Sequence, residues 1–329
     1  MNHNTALVTG STGFAGKILV NCLSSKGIKV KACIRNPEKG SIYNKVEGVE
    51  PVIVDILDRD SLLRAMEGVD TVYHFAGLVD AKAHKDKLFL VNRDGTRNVW
   101  NCAVLQGVEK ALYCSSTAVY GLLAKSQQPI SENVIPRAIE PYGRSKFEGE
   151  CIALEIAAQS NLKTVIIRPV AVFGPDQSTP FGRQLQNAAF SKLLLADGFE
   201  KRRFNFVHVE DVAEASIHLM TMPIENGQVY NIAVERAIWF EEAFQAYKWV
   251  LSNAENPYLW TRLLARLSEM AQKFPIITNW LTRYGSDHLV YKLWHPGFDL
   301  TYSSSKLHST SFCFKWTAFE EILLSCIND

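Results

Sequence analysis

The run Thr9-Gly-Ser-Thr-Gly-Phe-Ala-Gly16 decides the fold of this chain. It follows a short β-type stretch at residues 5–9 and precedes residues 17–23, whose apolar side chains have helical spacing. A strand, a glycine turn and a helix in this order predict a dinucleotide-binding unit, with the phosphates at the positive N-terminal end of the helix. The glycine spacing is Gly-x-x-Gly-x-x-Gly, a variant of the commoner Gly-x-Gly-x-x-Gly pattern.

Each glycine of the turn has a predicted task. Gly10 permits the tight turn, Gly13 lets the backbone approach the pyrophosphate, and Gly16 allows close packing of the helix. The turn residues between them complete the expected cofactor contacts, and these are Thr12, Phe14 and Ala15. A glycine turn can also be a plain connection between a strand and a helix, so the assignment depends on the rest of the chain.

Strands and helices alternate through the first half of the sequence. The β-type runs are residues 29–34, 50–55, 71–75, 110–115 and 164–168, and the helical stretches are residues 58–67, 86–106 and 141–159. A strand and a helix return at residues 206–213, and the chain becomes helical and aromatic from Trp239. This alternation predicts an α/β fold with a doubly wound parallel sheet. Ligands should lie at the carboxyl ends of its strands, near Gly10, Arg35, Asp55, Ala76, Ser116 and Pro169.

Composition excludes several classes of protein. The 329 residues are 47% hydrophobic and 21% charged, with a formal net charge of +1, so no bulk charge favours nucleic acid. The seven cysteines are scattered without a Cys-x-x-Cys pair, which predicts a reducing, cytoplasmic compartment and mostly buried thiols. No apolar run approaches the length of a bilayer span, and no cluster has metal-ligand spacing.

Seven motifs along residues 5–235 carry a resemblance to a known superfamily. They are the glycine turn, His74-Phe-Ala-Gly77, Asn92-Arg-Asp-Gly-Thr96, Ser115-Ser-Thr-Ala-Val-Tyr-Gly121, Tyr142-Gly-Arg-Ser-Lys146, Arg168-Pro-Val-Ala-Val-Phe-Gly-Pro175 and Val207-His-Val-Glu-Asp-Val-Ala213. In order and spacing the chain resembles the extended short-chain dehydrogenases/reductases, the NAD-dependent epimerase/dehydratase family. Its pattern is most similar to members such as dihydroflavonol reductase and 3β-hydroxysteroid dehydrogenase.

The resemblance implies a two-lobed enzyme and a homodimer formed through two helices. The dinucleotide-binding domain would be residues 1–174 plus 204–234, and a smaller, mostly helical substrate lobe would be residues 175–203 and 235–329. By motif position, Phe75, Ala76, Gly77, Pro169 and Val172 would lie beside the cofactor. Asn92 is expected to anchor backbone near the cofactor, and His74 and His208 to satisfy hydrogen bonds in the core.

Tyr142 and Lys146 are the candidate catalytic pair. Residues four apart face the same side of a helix, so the lysine can lie beside the phenol and also reach the nicotinamide ribose. A nearby ammonium group favours the phenolate and is expected to lower the pKa of Tyr142, the predicted general acid/base. Ser116, by its motif position, would orient the reacting oxygen. Thr117 is the alternative if the loop is shifted, and also a candidate substrate contact.

Cofactor choice depends on the end of the second strand. An NAD site offers a carboxylate there, whereas a 2′-phosphate needs a cation. The chain has Arg35, with Lys39 nearby, and no acid at the strand tip, so the sequence favours NADP(H) over NAD(H). A solvent-facing arginine is the competing interpretation. Asp55 and Ile56 resemble the pair that flanks the adenine in the family.

The substrate is predicted to be an apolar carbonyl or alcohol compound. Sugar-nucleotide members of the superfamily bind a pyrophosphate through an Asn and an Arg, at places where this chain has Pro169-Val-Ala-Val and Phe204, with Arg202 and Arg203 displaced. Five of the seven tryptophans lie between Trp239 and Trp294, in a segment that would line an apolar cleft or form the lobe's own core. The alternatives are a nucleotide-sugar epimerase/dehydratase and a non-catalytic dinucleotide sensor.

Overall fold

A seven-stranded parallel sheet forms the centre of the protein. The computed structural model describes residues 5–79, 84–121, 127–176, 202–223, 225–253 and 299–326. The strand order is β10-β6-β5-β4-β1-β2-β3, and every neighbouring pair is parallel. The order reverses at β1, which pairs with β2 on one side and β4 on the other. Because ligands of such sheets bind at the carboxyl edge where the order reverses, the cleft beside β1 is the expected site.

The elements of the first half follow the predicted alternation. They are β1 (Thr5–Thr9), α1 (Phe14–Ser25), β2 (Lys29–Ile34), α2 (Pro37–Gly40), β3 (Val49–Ile53), α3 (Arg59–Met66), β4 (Thr71–His74), α4 (Lys85–Phe89), α5 (Gly95–Leu105), β5 (Lys110–Cys114), α6 (Pro141–Ala158) and β6 (Lys163–Pro169). A π turn, Leu90–Asp94, separates α4 from α5, and a 3-10 turn, Thr117–Tyr120, follows β5.

In the described part of the second half, shorter strands and further helices follow. They are β7 (Ala171–Phe173), β8 (Arg203–Phe204), β9 (Phe206–His208), α7 (Val209–Thr221), β10 (Gln228–Ile232), β11 (Ile238–Trp239), α8 (Phe240–Asn253), α9 (Ser305–His308) and α10 (Phe319–Ser325). Strand β7 pairs with β9, and β8 pairs with β11. The predicted strand and helix at residues 206–213 are therefore present as β9 and the start of α7.

Apolar side chains bury both faces of the sheet, which confirms the doubly wound α/β prediction. One face packs against α1 and α7, through residues such as Leu19, Leu23 and Val212. The other face packs against α3, α5 and α6, with Trp100 fully buried there. A third apolar cluster lies beyond the sheet and is rich in phenylalanine, including Phe173, Phe204, Phe206, Phe240 and Phe319.

Some predicted boundaries were wrong. The third strand ends at Ile53, so Asp55 follows the strand by two residues. The helix predicted over residues 86–106 is broken by the π turn, and β10 was not predicted. The domain boundaries stay predictions, and the aromatic residues Trp260, Trp280 and Trp294 lie outside the described residues. Within the described part of the chain, no helix has both the length and the apolarity to cross a bilayer.

Candidate functional site

The glycine turn lies between the end of β1 and the start of α1. Gly10 has a φ of +69°, and a Cβ there would lie 2.5 Å from the backbone nitrogen of Ala76, at the end of β4. A Cβ on Gly16 would lie 2.1 Å from the Gly10 carbonyl oxygen. Gly13 is the N-cap of α1, and the first turn of that helix carries no acidic residue. The positive helix end is therefore uncompensated, and the turn fits a dinucleotide pyrophosphate.

Two side chains hold the turn in place, and sequence reasoning missed both. The Ser11 hydroxyl donates to the Cys33 carbonyl of β2 at 2.6 Å. The phenol of Tyr43, which is 2% exposed, donates to the Ser11 carbonyl at 2.6 Å. These bonds tie the phosphate turn to the neighbouring strand and to the segment after it. Tyr43 is the buried aromatic residue of the segment between α2 and β3, and an aromatic residue so close to the glycine turn was the signal available in the sequence.

The end of β2 presents two exposed cations. Arg35 directly follows the strand and is exposed, as is Lys39. Among the described residues, neither side chain has a hydrogen-bond or ion-pair partner. Asn36 accepts a hydrogen bond from the Glu38 N–H at 2.9 Å, which caps α2 and fixes the backbone next to Arg35. The carboxyl end of β2 thus offers a cation at the place where the sequence predicted one.

The ends of β3 and β4 place the other predicted cofactor contacts at the same edge. Asp55 accepts a bond from the Leu57 N–H at 2.9 Å, and Ile56 is 8% exposed, packed against Gly95. The segment Phe75–Gly77 follows β4 and passes directly over Gly10. Asp55 and Ile56 therefore lie two strands away from the glycine turn, at the same carboxyl edge.

Ser116, Tyr142 and Lys146 converge from two elements at this edge. Ser116 caps the 3-10 turn by accepting the Ala118 N–H at 3.1 Å, and its hydroxyl lies near enough to the Tyr142 phenol to lower the pKa of that group. Tyr142 and Lys146 lie one turn apart on α6, as their spacing predicted. A Cβ on Gly143 would lie 2.5 Å from the Ala118 carbonyl, so α6 approaches the 3-10 turn closely beside Tyr142.

The pKa of Tyr142 differs from the sequence-based expectation, because it is raised and not lowered. Burial is the main cause that raises the pKa of Tyr142 well above its ordinary value, and the Cys114 thiol adds to the rise. The bond with Ser116 opposes it, and Lys146 is not among the causes. Lys146 instead donates to the Cys114 carbonyl at 2.6 Å, and burial lowers its pKa to about 8. Its ammonium nitrogen lies 4.2 Å from the centre of the Tyr113 ring.

Asn92 ties the loop after β4 to the catalytic helix. Its Oδ1 accepts the Leu78 N–H at 2.7 Å, and its Nδ2 donates to the Ser145 hydroxyl at 3.0 Å. Ser145 in turn donates to the Tyr142 carbonyl at 2.8 Å. Asn92 lies in the π turn, a local widening that is frequent at functional sites. The residue anchors backbone, as the sequence indicated.

His74 lies beneath this edge in a directed chain of hydrogen bonds. Thr96 donates to the Asn92 carbonyl at 2.7 Å, so its hydroxyl oxygen must accept from His74 Nε2 at 3.1 Å. His74 Nδ1 then accepts from Thr9 at 2.6 Å. Burial, with a smaller contribution from Lys146, lowers the pKa of His74 to about 3, so the ring is neutral. The core role predicted for His74 agrees with these contacts.

Thr117, Pro169 and Val172 border the site from β6 and β7. Thr117 is buried and donates to the Pro169 carbonyl at 3.3 Å. The Thr117 hydroxyl is therefore bonded to Pro169 and not to the phenol of Tyr142. Pro169 is the last residue of β6, and Val172 lies in β7, where it pairs with Val207.

The remaining candidates have internal partners. Arg203 contacts Asp299 through Nη2 at 3.0 Å and Nε at 3.2 Å, and its guanidinium lies 5.4 Å from the Trp239 ring centre. His208 caps α7 and contacts the Ser325 hydroxyl at 3.0 Å, the core role that was expected. No group of side chains in the described ranges has the composition of a metal site.

Comparison with known proteins assigns the family. The pattern of the NAD dependent epimerase/dehydratase family matches residues 6–233, more than half of the chain. The chain belongs to this family, as the seven motifs indicated. The relatives include a 3beta-hydroxysteroid-dehydrogenase/decarboxylase of Arabidopsis thaliana, 28% identical, and a putative dihydroflavonol 4-reductase of Synechocystis, 29% identical, which confirms the predicted resemblance.

Relatives that are at least 30% identical to this chain include three proteins. An uncharacterized protein, y4nG of Sinorhizobium fredii, is 32% identical over 77% of the chain, which spans only 61% of that protein. Sterol demethylase protein B of Methylococcus capsulatus is 31% identical over 72% of the chain and 74% of its own length. UDP-N-acetyl-alpha-D-glucosaminuronate decarboxylase of Bacillus cytotoxicus is 30% identical over 73% of the chain and 78% of its own length.

Solved structures share the fold. MoeE5, in complex with UDP-glucose and NAD, is 27% identical with a TM-score of 0.66, covering 76% of this chain and 82% of that one. RMD from Pseudomonas aeruginosa, complexed with NADPH, has a TM-score of 0.70 at 21% identity and covers 98% and 97% of the two chains. Neighbours of this fold thus bind either NAD or NADPH.

Proposed function

We propose that this protein is an NADP(H)-dependent oxidoreductase that interconverts an apolar carbonyl compound and its alcohol, with Tyr142 as general acid/base. The observation that carries the proposal is the convergence of Ser116, Tyr142 and Lys146 at the carboxyl edge of the sheet. This edge also carries the glycine turn, where the order of the strands reverses. A proton donor beside a dinucleotide turn is the minimum that such a reaction requires.

The chemistry follows from the protonation state of Tyr142. Because its pKa is raised, the phenol keeps its proton at neutral pH and is present in the protonated form that carbonyl reduction requires. The reduced nicotinamide, when bound, supplies the hydride. Tyr142 gives its proton to the carbonyl oxygen, and Ser116 holds that oxygen by a second hydrogen bond. Lys146, whose ammonium group is held by the Cys114 carbonyl at 2.6 Å, would bind the nicotinamide ribose.

The cofactor proposal depends on Arg35. An exposed guanidinium beside the cap of α2 is free to bind a 2′-phosphate with two parallel hydrogen bonds. Lys39, in the same short segment, adds a second positive charge. A site for NAD offers a carboxylate to the ribose hydroxyls, and Arg35 directly follows the strand instead. NAD(H) remains the alternative cofactor.

An apolar substrate is supported by the segment that leads into α6. Ile135 and Ile139 are 71% and 57% exposed, and Ile139 lies three residues before Tyr142. Exposed isoleucines in the segment that leads to a catalytic residue suit an apolar compound better than a charged one. The names of two relatives refer to sterol or steroid compounds. We also propose a homodimer in a reducing, cytoplasmic compartment, in line with seven free cysteines, although two of them, Cys151 and Cys313, are exposed.

The second candidate is a nucleotide-sugar epimerase, dehydratase or decarboxylase. It is favoured by the sequence similarity of this chain to the UDP-N-acetyl-alpha-D-glucosaminuronate decarboxylase and to MoeE5, which was solved in complex with UDP-glucose. Arg203 would be the phosphate ligand, but its guanidinium already contacts Asp299. A diphosphate would have to replace that partner, so the oxidoreductase remains the first proposal.

Net consumption of NADPH separates the two functions. The purified protein is incubated with NADPH and a panel of apolar ketones and quinones, and in parallel with UDP-, GDP- and dTDP-sugars. A reductase oxidises NADPH in proportion to product, whereas an epimerase converts a sugar nucleotide at constant NADPH. Tyr142→Phe, which removes the proton and almost no volume, should lower turnover at least ~100-fold while cofactor still binds. Conversion of a sugar nucleotide without NADPH consumption would overturn the oxidoreductase proposal.

A further inference from the structure

A buried ion pair lies behind the catalytic helix. Arg168, on β6, donates through Nε to Glu150 Oε1 at 2.9 Å and through Nη2 to Glu150 Oε2 at 2.6 Å. The Arg168 side chain is 5% exposed and that of Glu150 is 1% exposed. Two parallel bonds between a guanidinium and a carboxylate fix distance and angle together. The pair therefore sets how α6 lies on β6.

The third arm of Arg168 reaches the other catalytic element. Its Nη1 donates to the Tyr120 phenol oxygen at 2.9 Å, and Tyr120 donates to Asn231 Oδ1 at 2.8 Å. Asn231 lies beside Arg168 in the sheet and donates through Nδ2 to the carbonyls of Ile130 and Ser303. Tyr120 is fully buried. The Arg168 Nη1, the Tyr120 hydroxyl and the Asn231 side-chain amide thus all have hydrogen-bond partners on neighbouring strands and loops.

One end of the network lies on α6, which carries Tyr142 and Lys146, and the other lies on the 3-10 turn that Ser116 caps. Glu150 lies four residues after Lys146 and eight after Tyr142, so the three side chains share one face of α6. Tyr120 closes the 3-10 turn that Ser116 caps. Arg168 therefore joins the helix of Tyr142 to the turn of Ser116 through a single planar group.

We propose that Glu150, Arg168 and Tyr120 are positioning residues, which hold the turn of Ser116 in register with α6 so that Ser116 bonds the Tyr142 phenol. The inference builds on the proposed function, because it assigns this bond a part in catalysis. None of the three residues touches the reacting atoms. They act through the relative placement of two elements that meet at Gly143 and Ala118.

The Glu150–Arg168 pair is expected to act mainly by fixing the positions of α6 and the 3-10 turn, and less by stabilising the fold. A buried ion pair contributes little net stability, because desolvation offsets its attraction, but it restricts geometry strongly. Catalytic hydrogen bonds tolerate little displacement, since a shift of about 1 Å in a reacting group costs about 100-fold in rate. Loss of the Tyr120 hydroxyl frees one guanidinium arm and loosens the 3-10 turn while the ring remains in place.

The test compares Tyr120→Phe and Glu150→Gln with Tyr73→Phe, a control in which another buried tyrosine, on β4 and outside the network, loses its hydroxyl. Crystal structures of the NADPH-bound wild type and variants give the Ser116 Oγ to Tyr142 Oη distance. Turnover is measured with 9,10-phenanthrenequinone as an apolar carbonyl probe. We expect the bond to be lost in both network variants and kept in Tyr73→Phe, with kcat about tenfold lower and KM for NADPH unchanged.

A double variant distinguishes positioning from general damage. Once Ser116→Ala has removed the bond, Tyr120→Phe should lower kcat no further, whereas independent structural effects would multiply. An intact bond in both network variants overturns the proposal, as does a full additional loss in the double variant. If the wild type reduces no carbonyl compound, the proposed function fails, and the measured distances still decide whether the network positions Ser116.

Discussion

Replacement of Gly16 by alanine should remove the phosphate turn. A Cβ at this position would lie 2.1 Å from the carbonyl oxygen of Gly10, 2.8 Å from the carbonyl carbon of Gly10 and 3.2 Å from the Cα of Ser11. All three neighbours are backbone atoms, so no rotamer change relieves the overlap. Either α1 moves away from the turn or the turn changes its path, and both changes break packing on Leu19 and Val20, which are fully buried.

The size of the effect follows from the contact. Overpacking of a well-packed region costs about 1–3 kcal/mol, and an overlap with rigid backbone lies at the upper end. We expect Gly16→Ala to lower the free energy of unfolding by about 3 kcal/mol. Chemical denaturation of the cofactor-free protein measures this directly. Titration with NADPH, followed by its fluorescence, should show affinity lowered by at least about tenfold, because the backbone N–H groups no longer converge.

Gly13→Ala is the matched control on the same turn. A Cβ there would have one close neighbour, the Gly10 carbonyl oxygen at 3.1 Å, so the fold should tolerate it with a loss below about 1 kcal/mol. If the pyrophosphate passes over Gly13, the added methyl should still weaken NADPH binding. Unchanged stability in Gly16→Ala would refute the packing argument. Unchanged NADPH affinity in Gly13→Ala would refute the placement of the pyrophosphate.

Further predictions concern charge and protonation. Arg35→Ala should weaken NADPH binding about 30-fold, equivalent to about 2 kcal/mol, and leave NADH binding nearly unchanged in parallel titrations; equal losses would reject the 2′-phosphate contact. Lys146→Met should lower both kcat and cofactor affinity, whereas Tyr142→Phe should lower kcat alone. Because the pKa of His74 falls from 6.5 to about 3, the unfolded chain gains the proton first on acidification. Stability should therefore fall as the pH drops from 6.5 toward 3, by up to about 1.4 kcal/mol per pH unit, and denaturation of His74→Gln should show a shallower pH dependence.

The sequence was sufficient for features that depend on spacing. Tyr142 and Lys146 share a helix face because they are four residues apart, and α6 spans both. The glycine turn was recognised from the spacing of its glycines between a strand and a helix, and the structure gives Gly10 a φ of +69° and Gly16 a 2.1 Å Cβ approach to backbone. The motif after β5 identified Ser116 by its distance from Tyr120. These features follow from the backbone geometry of a single helix or turn, so distant contacts do not change them.

Features that depend on distant contacts were not predictable. Strand β10 is an edge strand with three half-buried residues, so its sequence lacks the apolar run that marks an inner strand. The π turn at Asn92 interrupts a helix whose apolar spacing is continuous in the sequence. The pKa of Tyr142 was expected to fall because Lys146 is near in sequence. Burial raises it instead, and burial is a property of the whole fold.

The choice between an apolar and a phosphorylated substrate depends on which polar groups the fold has already engaged. Asp299 is 8% exposed and takes two side-chain bonds from Arg203, together with the Arg203 backbone N–H at 3.0 Å. If Arg203 turned to a diphosphate, this buried carboxylate would lose both side-chain bonds from Arg203, a loss that solvent around the half-exposed guanidinium reduces. The backbone after β6 is engaged too, since β7 pairs with β9 from Ala171 to Phe173. Near β6 and β8, the described groups that could bind a diphosphate are therefore already bonded within the protein. This favours a substrate whose affinity comes from buried apolar area.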